Sequence, residues 1–244
     1  MQTAVIAGVG PGLGESIART FADEGCRLAL LARSGGFLRD LSDDLPTEAV
    51  AVPTDLSEPD EIEAAFETVR DELGPVDVLV NNASVASWTG LLETDREAFD
   101  RAYEVGPRAG FLCSREAVRD MLGEARSAPE SRANPGGTGD GDGGTIIFTG
   151  ATTSVRGRKG AVGFSMAKFG SRGLAESMAR ELGPDGIHVA HVVVDGGIRP
   201  PGASDDADEY LDPDAIAETY WRLVEQDRSA WTLELDLRPH VEGF

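Results

Sequence analysis

A turn holding four glycines, Gly8-Val9-Gly10-Pro11-Gly12-Leu13-Gly14, follows directly on the apolar run over 3–8. The run reads as a short buried strand, and the residues after the turn read as a helix through about Glu24. Glycines between a strand and a helix permit a tight turn and let a backbone come close to a pyrophosphate at the helix N-terminus. The spacing of Gly8, Gly12 and Gly14 and their position between the two elements make this a dinucleotide-binding signal rather than a bare turn.

The rest of the chain repeats that alternation. Residues 27–32 form a second apolar strand, and strand-like runs recur at 49–53, 76–80, 145–149 and 188–194, separated by helical patterns. Strands apolar along their whole length belong to parallel sheets covered on both faces. The expected fold is therefore α/β: a Rossmann-type, doubly wound parallel sheet of about seven strands with helices on both faces. A helix from about 58 is expected to start with Ser57 as N-cap, Pro59 in the first turn and Asp60 in the capping-box position. A helix from about 160 ends at Gly183-Pro184-Asp185-Gly186, a strong stop signal. Residues 1–244 are expected to form one domain, interrupted at 126–144 by a flexible insertion that holds six of the 30 glycines and almost nothing apolar.

Composition narrows the function classes. With 43 acidic against 22 basic residues the formal charge is −21, which argues against nucleic acid and against an anionic membrane surface. No run is long and apolar enough to span a bilayer. The N-terminus lacks the basic flank of a signal peptide, so a cytoplasmic protein is expected. Cys26 and Cys113 show no metal or redox spacing and are expected to be buried and reduced. Acids spread along the chain, with only Lys159 and Lys168 as lysines, suit a saline medium in which self-repulsion is screened. In this the composition resembles that of proteins from halophiles.

Over nearly its whole length the chain resembles the short-chain dehydrogenase/reductase family. The family's Thr-Gly-x-x-x-Gly-Ile/Leu-Gly turn is matched by Ala7 to Gly14, with Ala7 in place of threonine; its Asn-Asn-Ala-Gly appears as Asn81-Asn82-Ala83-Ser84; and its Asp-Leu/Val appears as Asp55-Leu56. The resemblance implies a nicotinamide dinucleotide held by Gly8, Gly10, Gly12, Leu13, Gly14, Asp55, Leu56, Asn82, Ala83, Lys168 and Ile198. Members preferring NAD usually carry an acid at the end of the second strand, where this chain has Ala32 followed by Arg33. A guanidinium suits a 2′-phosphate, so NADP(H) is favoured over NAD(H).

The same resemblance implies a catalytic Tyr-x-x-x-Lys, whose residues share one helix face. Here it reads Phe164-Ser165-Met166-Ala167-Lys168. Lys168 is kept, while Phe164 stands at the tyrosine position, Ala151 at the serine position and Gly106 at the asparagine position. The family includes a branch with Phe beside a retained Lys, and this chain is similar to it, also over its closing stretch from Asp212 to Pro239. Ser165 points elsewhere on the helix, Thr149, Thr152 and Thr153 flank the vacant serine position, and Tyr103 reads mainly as a packing residue. His188 and His191 lie on opposite strand faces and form no ligand pair.

Two readings follow. One is an NADP(H)-dependent oxidoreductase of a small carbonyl or alcohol with an atypical proton path through water or Lys168; the other is a non-catalytic dinucleotide-binding protein. Family resemblance further implies a homodimer or homotetramer packed through the helices near 95–125 and 160–182. It also implies a sheet edge completed by a helix at 213–226 and a strand at 231–237, and a substrate rim built from 84–94 and 195–211.

Overall fold

The computed structural model describes residues 1–123, 143–204 and 208–242. In chain order these form β1 (Thr3–Ala7), α1 (Leu13–Asp23), β2 (Arg27–Ala32), α2 (Gly35–Asp44), β3 (Ala49–Pro53), α3 (Pro59–Leu73) and β4 (Val78–Asn81). There follow α4 (Arg96–Tyr103), α5 (Ala109–Met121), β5 (Gly144–Thr149), α6 (Val162–Leu182), β6 (Ile187–Val194), β7 (Gly197–Ile198), β8 (Tyr210–Leu211), α7 (Pro213–Val224) and β9 (Glu234–Leu237). Seven strands make one sheet in the order β3-β2-β1-β4-β5-β6-β9, every neighbouring pair parallel.

Side chains alternate across the sheet, and each face has its own apolar layer. Ala4 and Ile6 join Phe21, Leu30 and Tyr220 on the side of α1 and α7. Val5 and Ala7 join Phe66, Leu79, Cys113 and Phe148 on the side of α3 and α5. Burial on both faces is why the strands lack polar alternation. The expected strands are found within a few residues of their sequence bounds, and Gly186 ends the turn after α6 at φ 83°. Cys26 and Cys113 are buried free thiols, each pushed up to about 12 by burial.

Several expectations need correction. The helix near 95–125 is not continuous: a π-helical segment, Glu104–Arg108, joins α4 to α5, and Gly106 leaves helical geometry at φ −89°, ψ −105°. Pro107 is the cause, because it has no N–H to donate and its ring crowds the preceding turn. Ser57 is not the cap of α3. Glu58 takes that position without a side-chain cap, and the Ser57 hydroxyl donates to Asp55 instead. Residues 195–211 include a small parallel pair, β7 with β8, that no sequence pattern announced. The insertion expected at 126–144 lies outside the described residues up to 142, and Gly144 already belongs to β5.

The chain winds from β1 outward through β2 and β3, then crosses back to β4 beside β1. Open sheets of this kind place their ligand crevice at such a reversal, beyond the carboxyl ends of the strands. Gly8 and Asn82 stand there.

Candidate active site

The glycine turn is shaped by contacts that exclude side chains. At Gly8 φ is +107°, and a Cβ would lie 2.4 Å from the Ala83 nitrogen. At Gly14 a Cβ would come 2.8 Å from the Gly8 carbonyl oxygen. Gly10 and Gly12 instead face open space, Gly12 at φ +100°. The first turn of α1 has no side-chain cap; Glu15 and Ser16 donate to the Gly10 and Gly12 carbonyls, which leaves the Leu13 and Gly14 amides for an anion. Gly10, Pro11, Leu13 and Gly14 line a cleft of about 1100 Å³ that runs past Asn82 and Thr149–Thr153 to Phe164, Lys168 and Ile198. A second cavity of about 320 Å³ continues it on the other side of Gly8, lined by Ala32, Arg33, Ser34, Asp55, Leu56 and Ala83.

The two cavities meet at Gly8, Gly10, Asn82 and Ser84 and between them are lined by most of the residues singled out from sequence, though not by Gly12 or Gly106. Asn82 donates from Nδ2 to the Gly8 carbonyl at 2.8 Å, tying the end of β4 to the turn. Ala83 fills the space that the missing Gly8 side chain leaves. Asp55 accepts from the Ser57 amide at 3.0 Å and from its hydroxyl at 2.6 Å, which with Arg101 holds its carboxyl below the usual range. Arg33 is exposed and makes no ion pair among the described residues.

On α6, Phe164 and Lys168 do share a face. Lys168 is 5% exposed, and its Nζ donates to the Thr149 carbonyl at 2.7 Å. The ammonium stands 5.6 Å from the centre of the Phe164 ring, within the range of a cation–π contact. Burial lowers the Lys168 pKa to about 8. Gly106 brings the kink against α6, where a Cβ would meet that of Ala167 at 3.2 Å. Ala151 lines the cleft beside Thr152, whose hydroxyl donates to Asp195. Ser165 turns away and accepts from the Arg158 amide. Tyr103 is 48% exposed and lies outside the cleft.

Sequence reasoning missed the support beneath this site. The buried Tyr220 hydroxyl donates to Thr149 Oγ1 at 2.9 Å, which donates to Asn82 Oδ1 at 3.0 Å. A single chain of bonds thereby runs from α7 through β5 to the glycine turn. Tyr220 carries no sequence signal, since it sits on the apolar face of α7 like any packing residue. His191, beneath Gly150, accounts for that glycine: a Cβ would lie 2.4 Å from its Nε2. Its Nδ1 pairs with Glu234 at 2.9 Å, and Glu234 takes two bonds from Arg172. His188 instead faces the carbonyls of Leu223 and Thr232. Among the described residues no group of three or more His, Cys, Asp or Glu could hold a metal, and no helix is long and apolar enough to cross a membrane.

Comparison with known proteins agrees with this geometry. The chain is 33% identical over 190 residues to the NADPH carbonyl reductase 2 of Sus scrofa, covering 78% of this chain and 69% of that one. A solved short-chain dehydrogenase from Rhodopseudomonas palustris superposes with a TM-score of 0.79 at 33% identity, over 98% of this chain and 99% of that one. An alcohol dehydrogenase from Thermococcus sibiricus, solved with 5-hydroxy-NADP, gives 0.82 at 25% identity over 100% and 98%. The family profile described as short chain dehydrogenase matches residues 2–208. The chain belongs to the short-chain dehydrogenase family.

Proposed function

We propose that the protein is an NADP(H)-dependent oxidoreductase of a small carbonyl or alcohol, and that it works without a tyrosine proton donor. The observation that carries this reading is Lys168, held by the Thr149 carbonyl at the junction of the cleft and the glycine turn. The residues present fit a dinucleotide. The glycine cradle and uncapped α1 N-terminus suit a pyrophosphate, and the two cavities extend on both sides of it. Arg33 and the absence of an acid at Ala32 favour a 2′-phosphate. The Thermococcus sibiricus relative, solved with an NADP derivative, supports the same choice.

Bound there, the nicotinamide supplies the hydride. Lys168 would hold the ribose side of that ligand, and the cleft wall at Phe164 and Thr149–Thr153 would hold the carbonyl compound. Phe164 cannot titrate, so the carbonyl oxygen takes its proton from the Lys168 ammonium, directly or through a water. A buried lysine with its pKa near 8 is matched to that task at neutral pH. Reduction should therefore slow as pH rises through about 8, where Lys168 gives up its proton.

A second reading is a non-catalytic dinucleotide-binding protein. It is favoured by the Phe164 ring meeting Trp88 edge-on at 5.5 Å, an apolar wall where a phenol would be. Losing a positioned acid costs about 10²–10⁴ in rate. NADPH oxidation over a panel of carbonyl compounds separates the two readings. Turnover above background, raised by Phe164→Tyr, supports the oxidoreductase. NADPH binding without turnover in either protein would establish the second.

A further inference from the structure

We infer that the substrate carries an anionic group, a carboxylate or a phosphate, seated on Arg158 and Lys159 at the mouth of the cleft. This rests on the oxidoreductase reading of the same site and names its substrate class. The stretch Arg156-Gly157-Arg158-Lys159 concentrates three of the chain's 22 basic residues, including one of two lysines, in a protein of net charge −21. All three side chains line the cleft that also holds Phe164 and Lys168.

In so acidic a chain most guanidiniums are taken up by carboxylates, as Arg70, Arg119 and Arg172 are. Arg158 and Lys159 have no acid partner among the described residues. The acids on the cleft wall are Asp195 and Glu242. Asp195 is buried, accepts from Thr152 and is flanked by Arg156 at 3.8 Å and Arg238 at 3.5 Å, so its charge is already met.

Arg158, though exposed, has an aromatic partner at the cleft mouth. Its guanidinium lies 5.0 Å from the centre of the Trp88 ring, Trp88 meets Phe164 at 5.5 Å, and Phe164 meets the Lys168 ammonium at 5.6 Å. The ring contact takes none of the guanidinium N–H donors, and with no acid partner among the described residues they can take an oxyanion in two parallel bonds. A substrate with its carbonyl near Lys168 can lie along this aromatic wall and place its charged end at Arg158. Trp88, 58% exposed, then serves as a floor for the connecting carbons, with the buried Phe164 behind it.

The test compares matched substrates at one fixed ionic strength, since exposed charges are screened by salt. Probes long enough to run along two rings are used: 6-oxoheptanoate is set against its methyl ester, and 6-oxoheptyl phosphate against 7-hydroxyheptan-2-one. The parent protein and an Arg158→Gln/Lys159→Gln double variant are both assayed. The parent should favour the charged member of at least one pair in kcat/KM, and the double variant should cut that preference by about tenfold, the loss of one or two charge-assisted bonds. Which pair responds tells carboxylate from phosphate.

Equal rates within both pairs, or a preference that survives in the double variant, overturn the proposal. If nothing turns over, tryptophan fluorescence of the NADPH-loaded protein decides. Saturable binding of a charged compound that the double variant loses keeps the anion site and removes the oxidoreductase reading. No saturable binding of either charged compound to the parent removes the anion site.

Discussion

Lys168 keeps its ammonium where little water reaches, so one backbone carbonyl and one ring face stand in for a hydration shell. Its pKa falls from 10.5 to about 8 through burial. Between those values the unfolded chain binds a proton that the folded chain does not, so stability rises with pH across that window. Below about pH 8 the full penalty is present. Lys168→Met should then stabilise the fold at pH 7 by about 2 kcal/mol, roughly 3 from relieved burial less about 1 for the lost bond to Thr149. Urea denaturation at pH 7 and pH 10 measures it, and a variant weaker than the parent at pH 7 would contradict the account. Cofactor affinity should fall in the same protein.

The Tyr220–Thr149–Asn82 chain gives a second prediction at this scale. Thr149→Val strands the buried Tyr220 hydroxyl, at a cost of about 1–3 kcal/mol. With Tyr220→Phe already in place, part of that cost disappears, leaving a coupling of about 1 kcal/mol in a double-mutant cycle. Strict additivity would show that the bond carries nothing. Lys168 and Gly8 were legible because a motif and a spacing mark them. Tyr220 was not, and Thr149, singled out only because it flanks the vacant serine position, gave no sign of its bond to Tyr220, since the two lie 71 residues apart in the chain.

Among the elements, β9 shows how an edge strand is secured. It pairs with β6, and Glu234 opposite His191 also takes two bonds from Arg172 of α6, at 2.6 and 2.9 Å. Burial pushes the Glu234 carboxyl up, but the bonds from Arg172 and His191 outweigh it and leave it below its ordinary value. A carboxyl lowered by folding stabilises above its unfolded pKa and loses that contribution as pH falls through the folded one. Glu234→Gln should therefore melt lower than the parent near neutral pH, and the gap should close towards pH 3. Melting curves that keep a constant gap across pH exclude this role. The order of β and α elements was readable from apolar runs and stop signals. The π-helical kink was not read, although Pro107 is its cause, since a proline inside a helical pattern shows a break but not its geometry. The β7–β8 pair involves two residues per strand, too short for any periodicity.

The whole molecule carries its −21 charge on a surface where acids outnumber bases almost two to one. If that surface is adapted to a saline medium, thermal stability should climb as KCl is raised from about 0.1 M to about 1 M, over which the Debye length shrinks from about 10 Å to about 3 Å. A melting temperature that stays flat or falls argues against the adaptation. Exposed Phe111 on α5 and Phe169 on α6, at 47% and 42%, suit the proposed pairing of chains through these helices. Light scattering at high salt would read the oligomer directly.

By itself the sequence determined the doubly wound parallel sheet and the glycine cradle, and its resemblance to a known family marked Lys168, one helical turn from Phe164. These depend on short-range rules: apolar runs set strands, glycine alone tolerates the turn, and four residues make one helical turn. Only the tertiary structure decided what surrounds them. It set Arg158 over Trp88, Trp88 against Phe164 and Phe164 beneath Lys168, with Tyr220 and His191 reaching in from α7 and β6. Trp88, Tyr220 and His191 come from parts of the chain distant from α6, and their packing, not their order, gives the cleft its apolar wall and its buried support.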